Sequence, residues 1–196
     1  MKAMKRVGFL GCVMLLVGTC LLLPLNDACA RQVDGVSFPD EVSIGQASCK
    51  LVGVGLRKKF FVDVYYGALY MQQPTSNGDQ AISSDQPKRV VLHVVYKEVE
   101  PAKWIEGWQE GFSKNVPQPD AALKEKIDVF LECFKEPVKK GEEIRITYVP
   151  ETGTEVEIKG KPQATIPGRE FMAALWSIWF GKHPASESLM NGMLGK

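Results

Sequence analysis

The sequence predicts an α+β fold, a largely antiparallel sheet with a layer of helices on one face. Two observations carry this. Stretches with strand character come first, helical periodicity follows, and then both return in the same order. No regular strand–helix–strand alternation occurs, which argues against a parallel sheet.

The first thirty residues stand apart. Lys2, Lys5 and Arg6 precede Val7–Leu25, which is apolar except for Thr19, and Ala28-Cys29-Ala30 offers small residues at a cleavage site. This reads as a secretory signal peptide, residues 1–30, cut between Ala30 and Arg31, with the periplasm as the expected destination. The alternative is an uncleaved N-terminal membrane anchor, since the apolar run approaches the roughly 20 residues of a spanning helix. Residues 31–196 are long enough for one domain with its own core.

Removing Lys2, Lys5, Arg6 and Asp27 takes the chain from 24 basic and 23 acidic residues to 21 and 22. A nearly neutral, mixed surface gives no electrostatic footprint for nucleic acid. Cys12, Cys20 and Cys29 leave with the signal. Cys49 and Cys133 remain, and an oxidising compartment would permit a disulfide between them. Two separate buried thiols are the alternative.

After a short lead-in, Glu41–Ile44 and Ala47–Leu56 read as strands. Phe60–Tyr70 is a strong strand, rich in aromatic and β-branched residues. Gln73–Gln86 is polar, with Pro, Asn and Gly, and reads as an exposed loop. Lys88–Tyr96 is a strand apolar enough to be covered on both faces. Pro101 suits a first helical position, and Trp104, Trp108 and Phe112 recur on one helical face. Pro117 and Pro119 end that helix. Leu123, Ile127, Phe130, Leu131 and Phe134 mark a second, closed by Pro137 and Gly141. Strands follow at Glu143–Val149, Glu155–Ile158 and Pro162–Ile166. A third helix over Arg169–Phe180 turns Phe171, Leu175, Ile178 and Trp179 inward and stops at Gly181. Ser186 caps a final helix reaching Leu194.

Few catalytic patterns are present. Gly53-Val54-Gly55 lacks the third glycine and the following helix of a dinucleotide fingerprint. His93 and His183 lie apart, without metal-ligand spacing. No cofactor or metal is implied. Arg57 is the most informative residue, because it sits at the junction of two apolar strands and cannot lose its proton. Turned inward, it demands an anionic or strongly accepting partner. Turned outward, it is an ordinary turn residue. Tyr65 lies on the next strand, roughly 26 Å away along one extended chain at about 3.3 Å per residue. The two meet only if a hairpin around Lys58-Lys59 folds the chain back. An arginine and a tyrosine hydroxyl at the mouth of an apolar cavity would hold a carboxylate. Trp104, Trp108 and Phe112 would be core or cavity wall.

Several segments resemble the chalcone isomerase-like family, in its bacterial exported branch. They are Gly-x-Gly-Leu-Arg (53–57), Val-Tyr-Tyr-Gly-Ala-Leu-Tyr (64–70), Lys-Lys-Gly-Glu (139–142), Gly-Thr-Glu-Val (153–156), Ile-Pro-Gly-Arg-Glu-Phe (166–171) and Ile-Trp-Phe-Gly (178–181). The resemblance implies an open-faced β-sandwich, a large antiparallel sheet under a helical layer. In plant enzymes of the family the intervening cleft closes a flavanone ring. In a plant fatty-acid-binding branch it holds an acyl chain whose carboxylate an arginine and a tyrosine grip. Arg57 and Tyr65 match those two by motif. The enzymes also carry a Tyr, a Lys and an Asn on the following helix. With Asn115 as the Asn, those positions hold Trp108 and Gly111, and an indole cannot replace a phenol oxygen.

The leading expectation is therefore a non-catalytic, exported protein binding a small apolar acid at Arg57, Tyr65, Trp108 and Asn115. The alternatives are an isomerase or intramolecular lyase acting on a chalcone-like or enoyl substrate, and a structural or partner-binding module with a filled cleft.

Overall fold

The computed structural model describes residues 29–196. All but the last two residues of the expected signal peptide lie outside them. No helix among the described residues is long and apolar enough to cross a membrane.

The described residues open with a small hairpin, β1 (Ala30–Val33) and β2 (Val36–Pro39), turned by Asp34 and Gly35, both at positive φ. The lead-in expected here is thus structured. Its apolar residues are too few to announce a strand, and its order comes from packing on the sheet. There follow β3 (Glu41–Ile44), β4 (Ala47–Lys59), β5 (Val62–Met71) and β6 (Lys88–Val94). After the helical layer come β9 (Glu143–Val149), β10 (Gly153–Ile158) and β11 (Lys161–Ile166). These seven form one antiparallel sheet in the order β11-β10-β9-β6-β5-β4-β3. The segment between β6 and β9 crosses one face as α2 (Pro101–Asn115) and α3 (Ala121–Leu131). A two-residue ladder of β7 (Glu98–Val99) with β8 (Val138–Lys139) ties together the two ends of that crossover.

Strand alternation sorts the core. On β6, Val90, Leu92 and Val94 face the helices, while Val91 faces the other way, so this strand is covered on both faces as its composition predicts. On β5, Tyr65, Leu69 and Met71 join the helix-side core. Tyr66, Ala68 and Tyr70 join a second, smaller core with Phe38 and Ile44. The first hairpin supplies Phe38 to this second core, and Asp34 accepts a hydrogen bond from the Tyr66 hydroxyl.

Cys49 is buried in the second core and Cys133 in the first. Of the two alternatives, a disulfide or two separate buried thiols, the structure has the second. The sheet lies between the two thiols, and burial raises the pKa of both, that of Cys133 to about 11.

The segment 73–86 is not simply a loop. It contains α1 (Gly78–Ser83), capped by Asn77, whose side chain accepts from the Gln80 amide at 3.0 Å. Six residues with one buried alanine carry too little periodicity to be read from sequence. The helix is held from below by Lys88, which is 0% exposed. Its Nζ donates to the carbonyls of Ala81 (2.7 Å), Ile82 (3.1 Å) and Ser84 (2.9 Å), the helix C-terminus. The rings of Tyr148 and Trp176 flank the same nitrogen. A protonated amine has three donors, and here each has an acceptor.

The last helices, α4 (Arg169–Phe180) and α5 (Glu187–Met193), complete the layer. Nearly every residue of α4 from Phe171 onward is buried. Short α5 lies directly on β4, and Gly53 and Gly55 make this possible. A Cβ on Gly53 would sit 2.2 Å from the Gly192 carbonyl oxygen, and one on Gly55 2.2 Å from that of Leu189. The Gly-x-Gly motif is therefore a bare strand surface against which a helix backbone rests.

Gly55→Ala should cost about 1–3 kcal/mol, because helix backbone rather than a flexible side chain must move. Chemical denaturation measures this, and cleavage near Gly181–Ser186 in limited proteolysis should accelerate. Lys88 gives a pH prediction. Burial first, and the charge of Arg169 second, lower its pKa to about 7. The unfolded chain, with a lysine near about 10.4, then binds more protons between those values, so stability rises with pH across that window. The unfolding free energy of the wild type relative to Lys88→Met should climb by roughly 1.4 kcal/mol per pH unit from pH 7 to 9. A flat difference would mean that the three carbonyls hold the ammonium at its ordinary pKa.

Candidate ligand cleft

The register of β4 against β5 sets the site. Gly53 pairs with Leu69, Gly55 with Gly67 and Arg57 with Tyr65. Gly53, Gly55 and Arg57 alternate onto the helix-facing side, as Leu69 and Tyr65 do. Leu56 and Tyr66, one step along, belong to the opposite core. Arg57 therefore faces the helical layer, just past the strand surface that α5 covers.

The reversal differs in place from the expected one. Lys58 and Lys59 are still in β4, paired with Asp63 and Val62, and the two-residue turn is Phe60-Phe61. Phe60 has φ 57°, a backbone region that a bulky residue seldom takes. Two aromatics look like strand residues, which is why composition assigns them to the strand. The register slips between Arg57 and Lys58, leaving Val64 as an extra residue on β5. Such a bulge bends a strand and re-aims the neighbouring side chains.

Between this part of the sheet and α2 lies a cavity of about 520 Å³. Arg57, Val64 and Tyr65 line it from the sheet, and Trp104, Trp108 and Gly111 from α2. Ile178 of α4 and the segment His183–Ala185 complete the wall. The cleft is thus not filled by its own side chains. The aromatic residues form a stack along one side. Tyr65 lies on Trp104 with centroids 5.8 Å apart, and Trp104 on Trp108 at 6.0 Å. Phe130, Phe134 and Trp179 pack against this stack from α3, its C-terminal turn and α4. The helical aromatics are consequently both core and wall. Phe112 and Phe171 pair with each other deeper in the core.

The polar groups are few. Lys59, Lys103, Lys114 and Arg57 are the lysines and arginines of the lining. The first three each have a carboxylate within 4 Å: Lys59 and Lys103 share Glu106, and Lys114 pairs with Glu110. Arg57 has no carboxylate partner among the described residues. Its guanidinium donates from Nη1 to the Lys58 carbonyl at 2.7 Å. The Tyr65 hydroxyl has its pKa raised by burial, opposed by the nearby positive charge of Arg57. The Trp179 indole nitrogen is buried without a hydrogen-bond partner. The indole nitrogens of Trp104, Trp108 and Trp176 are likewise unpartnered, so this property belongs to the whole helical core and does not mark the cavity.

Asn115 does not line the cavity. Its Nδ2 donates to the carbonyls of Gly111 and His183, both at 3.0 Å, and its Oδ1 accepts from the His183 amide at 3.1 Å. Two of these bonds join the end of α2 to the segment after α4. Gly111 is also fixed by packing, since a Cβ there would come within 2.7 Å of Ile178. A lysine at this position would collide with α4. His93 lies 3.3 Å from Glu143 and packs on Phe38, away from the helical face.

A family model for chalcone isomerase-like proteins matches residues 30–195. The chain belongs to the chalcone isomerase-like family. Among solved structures, this family member is similar to a fatty-acid binding protein of Arabidopsis thaliana. The two share 21% sequence identity with a TM-score of 0.67, over 84% of this chain and 95% of the other. At that identity the likeness is one of fold. No curated protein matches the chain. Within this chalcone isomerase-like chain, the sequence brings out Arg57, Tyr65 and Trp108 as cleft residues, and the geometry adds Val64, Gly111 and Ile178. Val64 is exposed to the cleft by the bulge, which leaves no mark in composition.

Asn115→Ala should lower stability by about 0.5–1.5 kcal/mol through the loss of the hydrogen bonds that join α2 to the segment after α4. Unaltered stability, with binding abolished instead, would return Asn115 to the site.

Proposed function

We propose that this chain is an exported, non-catalytic binding protein for an apolar carboxylate, a fatty-acid-like ligand held between the sheet and α2. The observation that carries this reading is Arg57. It is the lining cation without a carboxylate partner among the described residues, and it faces an aromatic-walled cavity directly across the ladder from Tyr65. A ligand carboxylate would take the guanidinium's remaining donors in charge-assisted bonds, with the Tyr65 hydroxyl as a further donor. The apolar chain would lie along Trp104 and Trp108. The cavity volume falls within the about 300–1,000 Å³ typical of small-molecule sites. The fatty-acid binding of the Arabidopsis protein with this fold supports the same ligand class. Export rests on the basic, apolar and small-residue pattern of residues 1–30.

The non-catalytic part rests on α2. Where the family's enzymes carry a tyrosine and a lysine, this chain has Trp108, which is buried in the aromatic stack, and Gly111, which is packed against Ile178. Neither can move a proton. Asn115 is engaged in joining two segments of backbone.

Displacement titrations with saturated fatty acids of increasing length, beside fatty alcohols of equal length, test the proposal. Arg57→Ala should weaken the acids by roughly 10- to 100-fold, the effect of losing a charge-assisted hydrogen bond, and leave the alcohols nearly unchanged. Equal affinity of wild type and Arg57→Ala for the acids would remove Arg57 from the site.

A further inference from the structure

Five large hydrophobic residues stand exposed among the described residues, and three of them line the cavity while a fourth, Phe61, adjoins them on the same turn. Phe60 is 89% and Phe61 99% exposed at the β4–β5 turn, with Val62 and Tyr96 beside them. Phe60, Val62 and Tyr96 also line the cavity, and Phe61 does not. The turn holds Phe60 at positive φ, where glycine or asparagine would be at ease. Two bare phenyl rings on a narrow, strained tip serve neither the core nor the turn.

We propose that this hairpin tip docks on a phospholipid surface, inserting Phe60 and Phe61 among the headgroups with the cavity mouth facing the lipid. This inference rests on the reading of the cavity as a site for an apolar acid. Such a ligand partitions into membranes, and each methylene drawn through water costs about a factor of four in equilibrium. A mouth pressed to the lipid spares that passage. The charges beside the tip suit the phosphates of a lipid surface. Lys58 pairs with Asp63 at 2.9 Å, and Lys59 and Lys103 reach Glu106. Three lysines against two carboxylates leave this rim slightly cationic, which complements the phosphates of the headgroups. The tip is convex, and a fluid interface accepts a convex aromatic wedge without a matching pocket.

The test uses the purified protein with phosphatidylcholine vesicles. Phe61→Trp places a reporter on the tip, and its difference spectrum against wild type isolates it from the native tryptophans. Its emission should shift to the blue and be quenched by brominated phosphatidylcholine. Phe61→Ser should weaken flotation with vesicles by roughly tenfold, the effect of withdrawing one phenyl ring. An indole that keeps the emission of exposed tryptophan at saturating lipid overturns the proposal. So does self-association through the tip without flotation, which would assign the surface to a second copy. Palmitate displacement without vesicles separates the two readings. Binding of palmitate with no docking removes the lipid surface alone. Docking that depends on Phe61, without palmitate binding, removes the ligand reading and leaves the surface.

Discussion

The antiparallel register of β4 on β5 is the constraint on which the other features depend. It sets Arg57 opposite Tyr65 and Gly55 opposite Gly67, all on the helix-facing side. A slip of one residue would turn Arg57 toward the second core and bring Leu56 under the helices. The register is held from both faces. On one, Leu69 and Tyr65 are locked into the helix-side core. On the other, Tyr66 and Tyr70 pack with Phe38 and Ile44. The bulge beyond Arg57 then absorbs the mismatch before the turn, so the cleft end of the hairpin can bend without disturbing its anchored end.

The helical layer meets this hairpin in two different ways. At Gly53 and Gly55 backbone rests on backbone, and nothing larger than hydrogen is tolerated. Further along, α2 stands off the sheet, and the stacked Tyr65, Trp104 and Trp108 span the gap. Close contact at one end and large rings at the other hold the layer at an angle that leaves a cavity. Asn115 and Gly111 belong to this scaffolding, since one ties α2 to the segment after α4 and the other lets the two helices approach.

Most of the fold was legible because its signals are local. The Trp104–Trp108–Phe112 spacing, the buried face of α4 and the alternation of β6 each occupy one contiguous stretch. What escaped was non-local. The six-residue α1 is held because Lys88, five residues beyond its end, satisfies two carbonyls of its last turn and that of its C-cap Ser84 from beneath. The first hairpin is ordered by a sheet face it meets only after folding. Cys49 and Cys133 invite pairing by count alone, and the sheet keeps them on opposite sides. Phe60-Phe61 resembles strand by composition and is turn by position.

For the site, the sequence by itself determined which residues could matter. An arginine that must stay charged, a tyrosine, and tryptophans at helical spacing follow from chemical identity and order along the chain. Tertiary structure decided which of them meet. Whether Arg57 faces inward depends on strand parity, and parity depends on a register set by packing on both faces of the sheet. Whether its charge is free depends on where the neighbouring carboxylates fall, and Glu106 and Glu110 sit on α2 beside the lysines instead. Both are properties of distance between segments far apart in sequence, and only the assembled fold sets such distances.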